Sequence, residues 1–111
     1  MSQGTLTGVI TCRQPILLPF NTTIAVRLQD VSLVDVSAID LAAEDFCTAG
    51  RQVPIPFGLE YDPDKIQPQH TYALQVRITI DGQLRFLNMM ACPVITRGHP
   101  TTVEIVVDPV S

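Results

Sequence analysis

Tryptophan is absent from the 111 residues and aromatics make up only 5% of them. Any core must therefore come mostly from valine, isoleucine and leucine. Lysine occurs once, at Lys65, and the six arginines stand singly along the chain. With a net charge of −4 and no basic stripe, the chain lacks the means to neutralise a row of phosphates, and nucleic acid is not expected as a partner. No apolar run approaches the roughly eighteen residues of a membrane span, so no transmembrane segment is expected. The opening MSQGTLTG has neither a charged nor an apolar leader region.

Catalytic signatures are missing too. There is no GxSxG, HExxH, P-loop or GxGxxG. Cys12, Cys47 and Cys92 are odd in number and spaced neither as CxxC nor as a metal knuckle, so no metal or cofactor is expected. They read as small buried residues kept reduced, with one disulfide and a leftover thiol as the alternative. His70 and His99 lie in turns flanked by proline or glycine and read as solvated. Asp62 and Asp64 sit on one short turn, where they complement a helix start better than they serve as acid and base. A nucleophile needs a base and an orienting third group, and none can be placed, so the chain is not expected to be an enzyme.

What is present is alternation. Val53, Ile55, Phe57 and Leu59 fall on alternate positions, as do Tyr72, Leu74, Val76, Ile78 and Ile80, the period that lays one strand face on a core. Asp81-Gly82 follows, supplying the two residues with φ > 0 that a tight hairpin needs before Leu84 and Phe86 resume the pattern. Leu6, Gly8, Ile10 and Cys12 give a first strand within residues 4–13, and Ile24, Val26 and Leu28 a second. Pro15 and Pro19 bracket Ile16-Leu17-Leu18, an extended piece poorly paired or at an edge.

The aspartates at 30, 35, 40 and 45 match neither a helix face nor a strand face and read as solvated turns. Ala42, Ala43 and Glu44 favour helix, but residues 38–46 are read as a strand for continuity of the sheet. Pro54 and Pro56 demote residues 52–58 to an edge strand. Asp62 as N-cap and Pro63 at N1 predict one short helical turn near residues 62–67. Tyr72, at the mouth of its strand, is expected to carry its hydroxyl to a backbone carbonyl at a corner. Val103, Ile105 and Val107 make a last strand. The expectation is an all-β fold: one domain, 1–111, an antiparallel β-sandwich of seven or eight short strands.

The alternation breaks from Leu87 to Cys92, where apolar residues occupy both parities. A bulge or a strand buried on both faces is the ordinary reading. The functional reading leaves Leu87, Met89 and Met90 as an adaptable apolar contact surface, a role suited to methionine.

Gly8-Val9-Ile10-Thr11 with Arg13, Leu28 to Leu33 with Asp35, Gln52 to Phe57 with Tyr61-Asp62-Pro63, and His70 with Tyr72-Ala73-Leu74, Arg77-Ile78, Asp81-Gly82 and Pro93-Val94 follow one familiar order. Over residues 6–107 the chain resembles the YbaY-like lipoproteins, grouped with the YscW-type pilotins of type III secretion. The resemblance implies a compact β-sandwich. It also implies a non-enzymatic binding or assembly module, since pilotin members are outer-membrane lipoproteins that bind a secretin subunit and help it localise and assemble. The expected partner is another protein or peptide, at a sheet edge or apolar patch. Self-association through an edge is left open, and the alternative is a small-ligand carrier with a pocket between the sheets or at a loop end. A periplasmic or outer-membrane location is expected if a lipoprotein signal preceding Met1 has been removed, and a cytoplasmic one if Met1 is the native start.

Overall fold

A computed structural model describes residues 3–32 and 38–110. Asp35, one of the four evenly spaced aspartates, lies outside them. The strands are β1 (Gly4–Cys12), β2 (Thr23–Asp30), β3 (Ile39–Cys47), β4 (Ile55–Tyr61), β5 (Tyr72–Ile80), β6 (Gln83–Leu87), β7 (Cys92–Val94) and β8 (Thr102–Pro109), with a single 3₁₀ turn at Pro63–Lys65. They run in the order β3-β2-β5-β6-β8-β1-β4, and β7 pairs with β5 off that path. One layer is β3-β2-β5 with β6 and β7. The other is β8-β1-β4. At the far side β3 comes near β4 without a ladder between them among the described residues, so the eight strands make a nearly closed, barrel-like sandwich.

Alternation in the sequence becomes alternation of burial. Leu6 and Ile10 of β1, Ile24, Val26 and Leu28 of β2, Ile55, Phe57 and Leu59 of β4, and Tyr72, Leu74, Val76 and Ile78 of β5 all point inward and are buried. Asp81 and Gly82 both adopt positive φ, 53° and 77°, as the tight hairpin between β5 and β6 requires. Asp62 caps the 3₁₀ turn by accepting from the Asp64 N–H at 3.0 Å, the structural role expected of this carboxylate pair.

The expected edge strand is β4, at the end of the order, although its ladder begins only at Ile55. Thr7 donates its N–H to Thr101 at 3.0 Å, so the odd residues of β1 turn toward β8 and the even ones toward β4. Pro56, paired with Val9, therefore directs its missing N–H to the open edge.

One pairing differs from the antiparallel expectation: β1 and β8 run parallel, Thr7 opposite Thr102 through Cys12 opposite Val107. Gly8 lets them meet. A Cβ there would lie 2.1 Å from the Val103 carbonyl oxygen and 3.0 Å from the Phe57 ring, a backbone approach only glycine permits.

Five side chains depart from expectation. Tyr72 accepts at its hydroxyl from the Gln67 N–H at 2.9 Å instead of reaching a carbonyl, because Gln67, just past the 3₁₀ turn, has no ladder partner for its N–H. His70 is not simply solvated. Its Nδ1 lies 2.7 Å from Asp30 Oδ2, and its ring stacks on Tyr72, because the end of β2 is in register with the start of β5. The three cysteines are free, but Cys47, at the end of β3, is exposed, and Cys12 and Cys92 are half-buried.

Gly8→Ala is expected to cost about 1–3 kcal/mol, since either the parallel ladder or Phe57 must shift. Urea unfolding measures this, and wild-type stability would contradict it. A second expectation concerns acid. Burial raises the Asp30 pKa, but hydrogen bonds from Ser32 and His70 outweigh it and leave the carboxyl below its ordinary value. As pH falls the unfolded chain takes up this proton first, so the stabilisation is full above about pH 4 and is lost as pH drops through the lowered folded value. Asp30→Asn should flatten that acid limb in unfolding titrations; an unchanged limb would contradict the assignment.

Candidate functional site

The both-parity run from Leu87 to Cys92 is where one strand stops and another takes its place. β6 pairs with β5 as far as Leu87 opposite Arg77. There the Asn88 side chain takes over the ladder. Its Oδ1 accepts from the Val76 N–H at 2.8 Å, and its Nδ2 donates to the carbonyls of Leu74 and Met90, each at 3.1 Å. The chain swings outward through Met89, Met90 and Ala91, then returns as β7, pairing Cys92, Pro93 and Val94 with Leu74, Ala73 and Tyr72. It is neither a simple bulge nor a strand buried on both faces.

β7 ends at Val94, and the next residue, Ile95, has a φ of 75°, unusual for a β-branched residue. The Ile95 N–H donates to Pro100 at 3.2 Å, and Thr96 Oγ1 ties the turn to the His70 carbonyl at 2.6 Å. The chain then re-emerges as β8 in the other layer. Consecutive strands thus separate, and between them lies a groove of about 270 Å³. Met90, Cys92 and Pro93 form one wall, and Glu104 and Val106 the other. The Arg13–Asp108 pair, at 3.4 Å, lies at one end.

Of the residues singled out from sequence, Met89 and Met90 are 58% and 72% exposed. Met90 lines the groove and Met89 stands beside it. Leu87 is half-buried and locked into the ladder opposite Asp108, at the closed end. Burial pushes the Cys92 thiol above its ordinary pKa, which keeps it protonated and a poor nucleophile. Cys92 and His99 share no hydrogen bond among the described residues.

A second apolar surface was missed in sequence. Leu17, 86% exposed, lines a shallow depression of about 360 Å³ with Phe86 and Val110, and Phe20, 73% exposed, lies against Gly50. Leu18, between them, is buried, with its N–H and carbonyl both held by the Gln52 side chain at 2.7 and 2.9 Å. The two bracketing prolines were the available signal, since they stop this segment from joining a ladder of its own.

Asn88→Ala should strand the buried Val76 N–H and cost about 1–3 kcal/mol. Faster amide exchange at Val76 is the accompanying signature, and unchanged stability with unchanged exchange would contradict the role given to Asn88.

Comparison with known proteins gives concordant results. Residues 1–107 match the family described as "Type III secretion system lipoprotein chaperone (YscW)". The chain is 32% identical over 98 residues to "Uncharacterized lipoprotein YbaY" of Escherichia coli (strain K12), a match covering 88% of this chain and 52% of that protein. It therefore spans about half the length of that curated relative. Among solved structures, "Structure of an alternative pilotin from the type II secretion system of Vibrio cholerae" superposes with a TM-score of 0.95 at 39% identity, covering 99% of each chain. The resemblance read from residues 6–107 is borne out: the chain belongs to the YscW family of type III secretion system lipoprotein chaperones.

Proposed function

We propose that this chain is a non-enzymatic, pilotin-like binding module that holds a segment of a secretin subunit while that subunit is localised and assembled. The observation that carries the reading is the methionine-edged groove beside β8. Its apolar wall carries Met90, with Met89 exposed beside it, and the unbranched, polarisable methionine side chain suits a surface that adapts to another protein. Membership of a chaperone family and the likeness to a solved pilotin support the same reading. A periplasmic or outer-membrane-anchored setting goes with it, as the lipoprotein relatives suggest. No helix of the described chain is long and apolar enough to cross a membrane.

The carrier alternative is weaker. The groove falls just below the range of roughly 300–1,000 Å³ usual for small-molecule pockets, and the larger depressions, about 360 Å³ at Leu17 and about 580 Å³ between β3 and β4, are more open to solvent still.

The test is titration of the purified chain against the secretin subunit of the same organism. Met89→Asp and Met90→Asp should each weaken binding about tenfold or more, because a carboxylate buried at an apolar contact loses its hydration. Leu17→Asp should leave affinity near wild type. The reverse pattern would move the binding surface to the depression lined by Leu17 and overturn the assignment.

A further inference from the structure

The groove has an unusual second wall. Each β-strand has two edges, and successive residues turn their peptide groups to alternate edges. Thr7 N–H donating to Thr101 turns the odd residues of β8 toward β1. At the other end Val110 N–H donates to Arg85 at 2.9 Å, which turns the even residues toward β6. But β6 pairs only with Asp108 and Pro109, because the chain leaves the sheet at Asn88. The N–H and C=O groups of Glu104 and Val106 thus face the groove, and those of Thr102 the same edge beyond it, without a ladder partner among the described residues.

The other edges are guarded. β4 presents Pro56, β3 carries Asp40, Glu44 and Asp45, and β7 presents Pro93. Val31 donates to Thr71, so even residues of β5 face β7, and Cys92 and Val94 take the paired positions while Pro93 turns its missing N–H to the groove. Within this groove only the β8 wall offers donors and acceptors in ladder spacing.

We infer that β8 is the acceptor for an added strand: an extended segment of a partner protein lies in the groove and completes the ladder on Thr102, Glu104 and Val106. This rests on the reading of the groove as a protein-binding site and specifies the form of what binds. Charge selects among such segments. Arg13 and Asp108 are paired with each other, whereas Glu104 is exposed and makes no ion pair among the described residues. The fitting segment carries a lysine or arginine beside Glu104 and, two residues along on the same face, an aliphatic residue beside Val106.

The probe is a capped peptide of about nine residues in which threonine alternates with lysine and valine taken in turn, so that lysine and valine share a face, long enough to span the free edge. A second peptide of the same sequence is N-methylated at its central residues, which removes N–H donors and keeps the side chains. Amide shifts of the ¹⁵N-labelled protein follow both titrations. The unmodified peptide should shift Glu104 and Val106 saturably, and the N-methylated one should bind at least about tenfold more weakly. Val106→Pro, which removes a groove-facing N–H and none facing β1, should weaken the unmodified peptide similarly.

Equal binding of the two peptides, or preference for a helix-locked amphipathic peptide, would overturn strand addition. So would the absence of any shift at Glu104 and Val106 at millimolar peptide. None of these results touches the secretin titration. If Met90→Asp still weakens secretin binding there, the groove remains a protein-binding site of another kind, and if it does not, the broader reading fails as well.

Discussion

β8 has two edges, and only one of them is filled along its length. One edge is filled by β1 along six residues, in parallel, through the close approach that Gly8 allows. The other edge meets β6 at only two residues, Asp108 and Pro109, and that short contact is what joins the two layers on this side. Everything distinctive about the molecule follows from the mismatch. A longer β6 would have filled this edge, and the methionine loop, the detached β7 and the groove would not exist.

The early end of β6 is stabilised by an amide. Asn88 reproduces with its side chain the donor and acceptor that a strand would have presented to Val76 and Leu74. Gln52 does the same for Leu18, holding a proline-bracketed segment against the core where no ladder reaches it. Both solve one problem: a buried peptide group must be paired, and where the backbone cannot do it a carboxamide, with one donor end and one acceptor end, can. In each case the held segment carries exposed apolar side chains outward, Met89 and Met90 in one place, Leu17 and Phe20 in the other. The fold thus displays apolar surface without loosening its interior.

Much of this was legible in the sequence because burial on a sheet has period two. The alternations at β1, β2, β4, β5 and β8, the Asp81-Gly82 hairpin, the capped turn at Asp62 and the proline-marked edge all depend on neighbours in the chain, and each stands as expected. The groove was half legible: apolar residues on both parities from Leu87 to Cys92 marked a break in the pattern, but not its kind. What stayed hidden depends on partners far apart in sequence. Asn88 looks like any loop asparagine until Val76 lies opposite it. The parallel pairing of β1 with β8 has no local signature beyond Gly8, and His70 meets Asp30 only because β2 and β5 are neighbours in register.

Amide exchange along β8 in the free protein tests the central claim most directly, since it needs no ligand and reads each edge separately. If β1 fills one edge and nothing fills the other, Val103, Ile105 and Val107 exchange slowly while Glu104 and Val106 exchange as solvent-facing amides. Uniform protection from Val103 to Val107 would mean that β7 and β8 close into a ladder in solution, and the open edge on which the account rests would not exist.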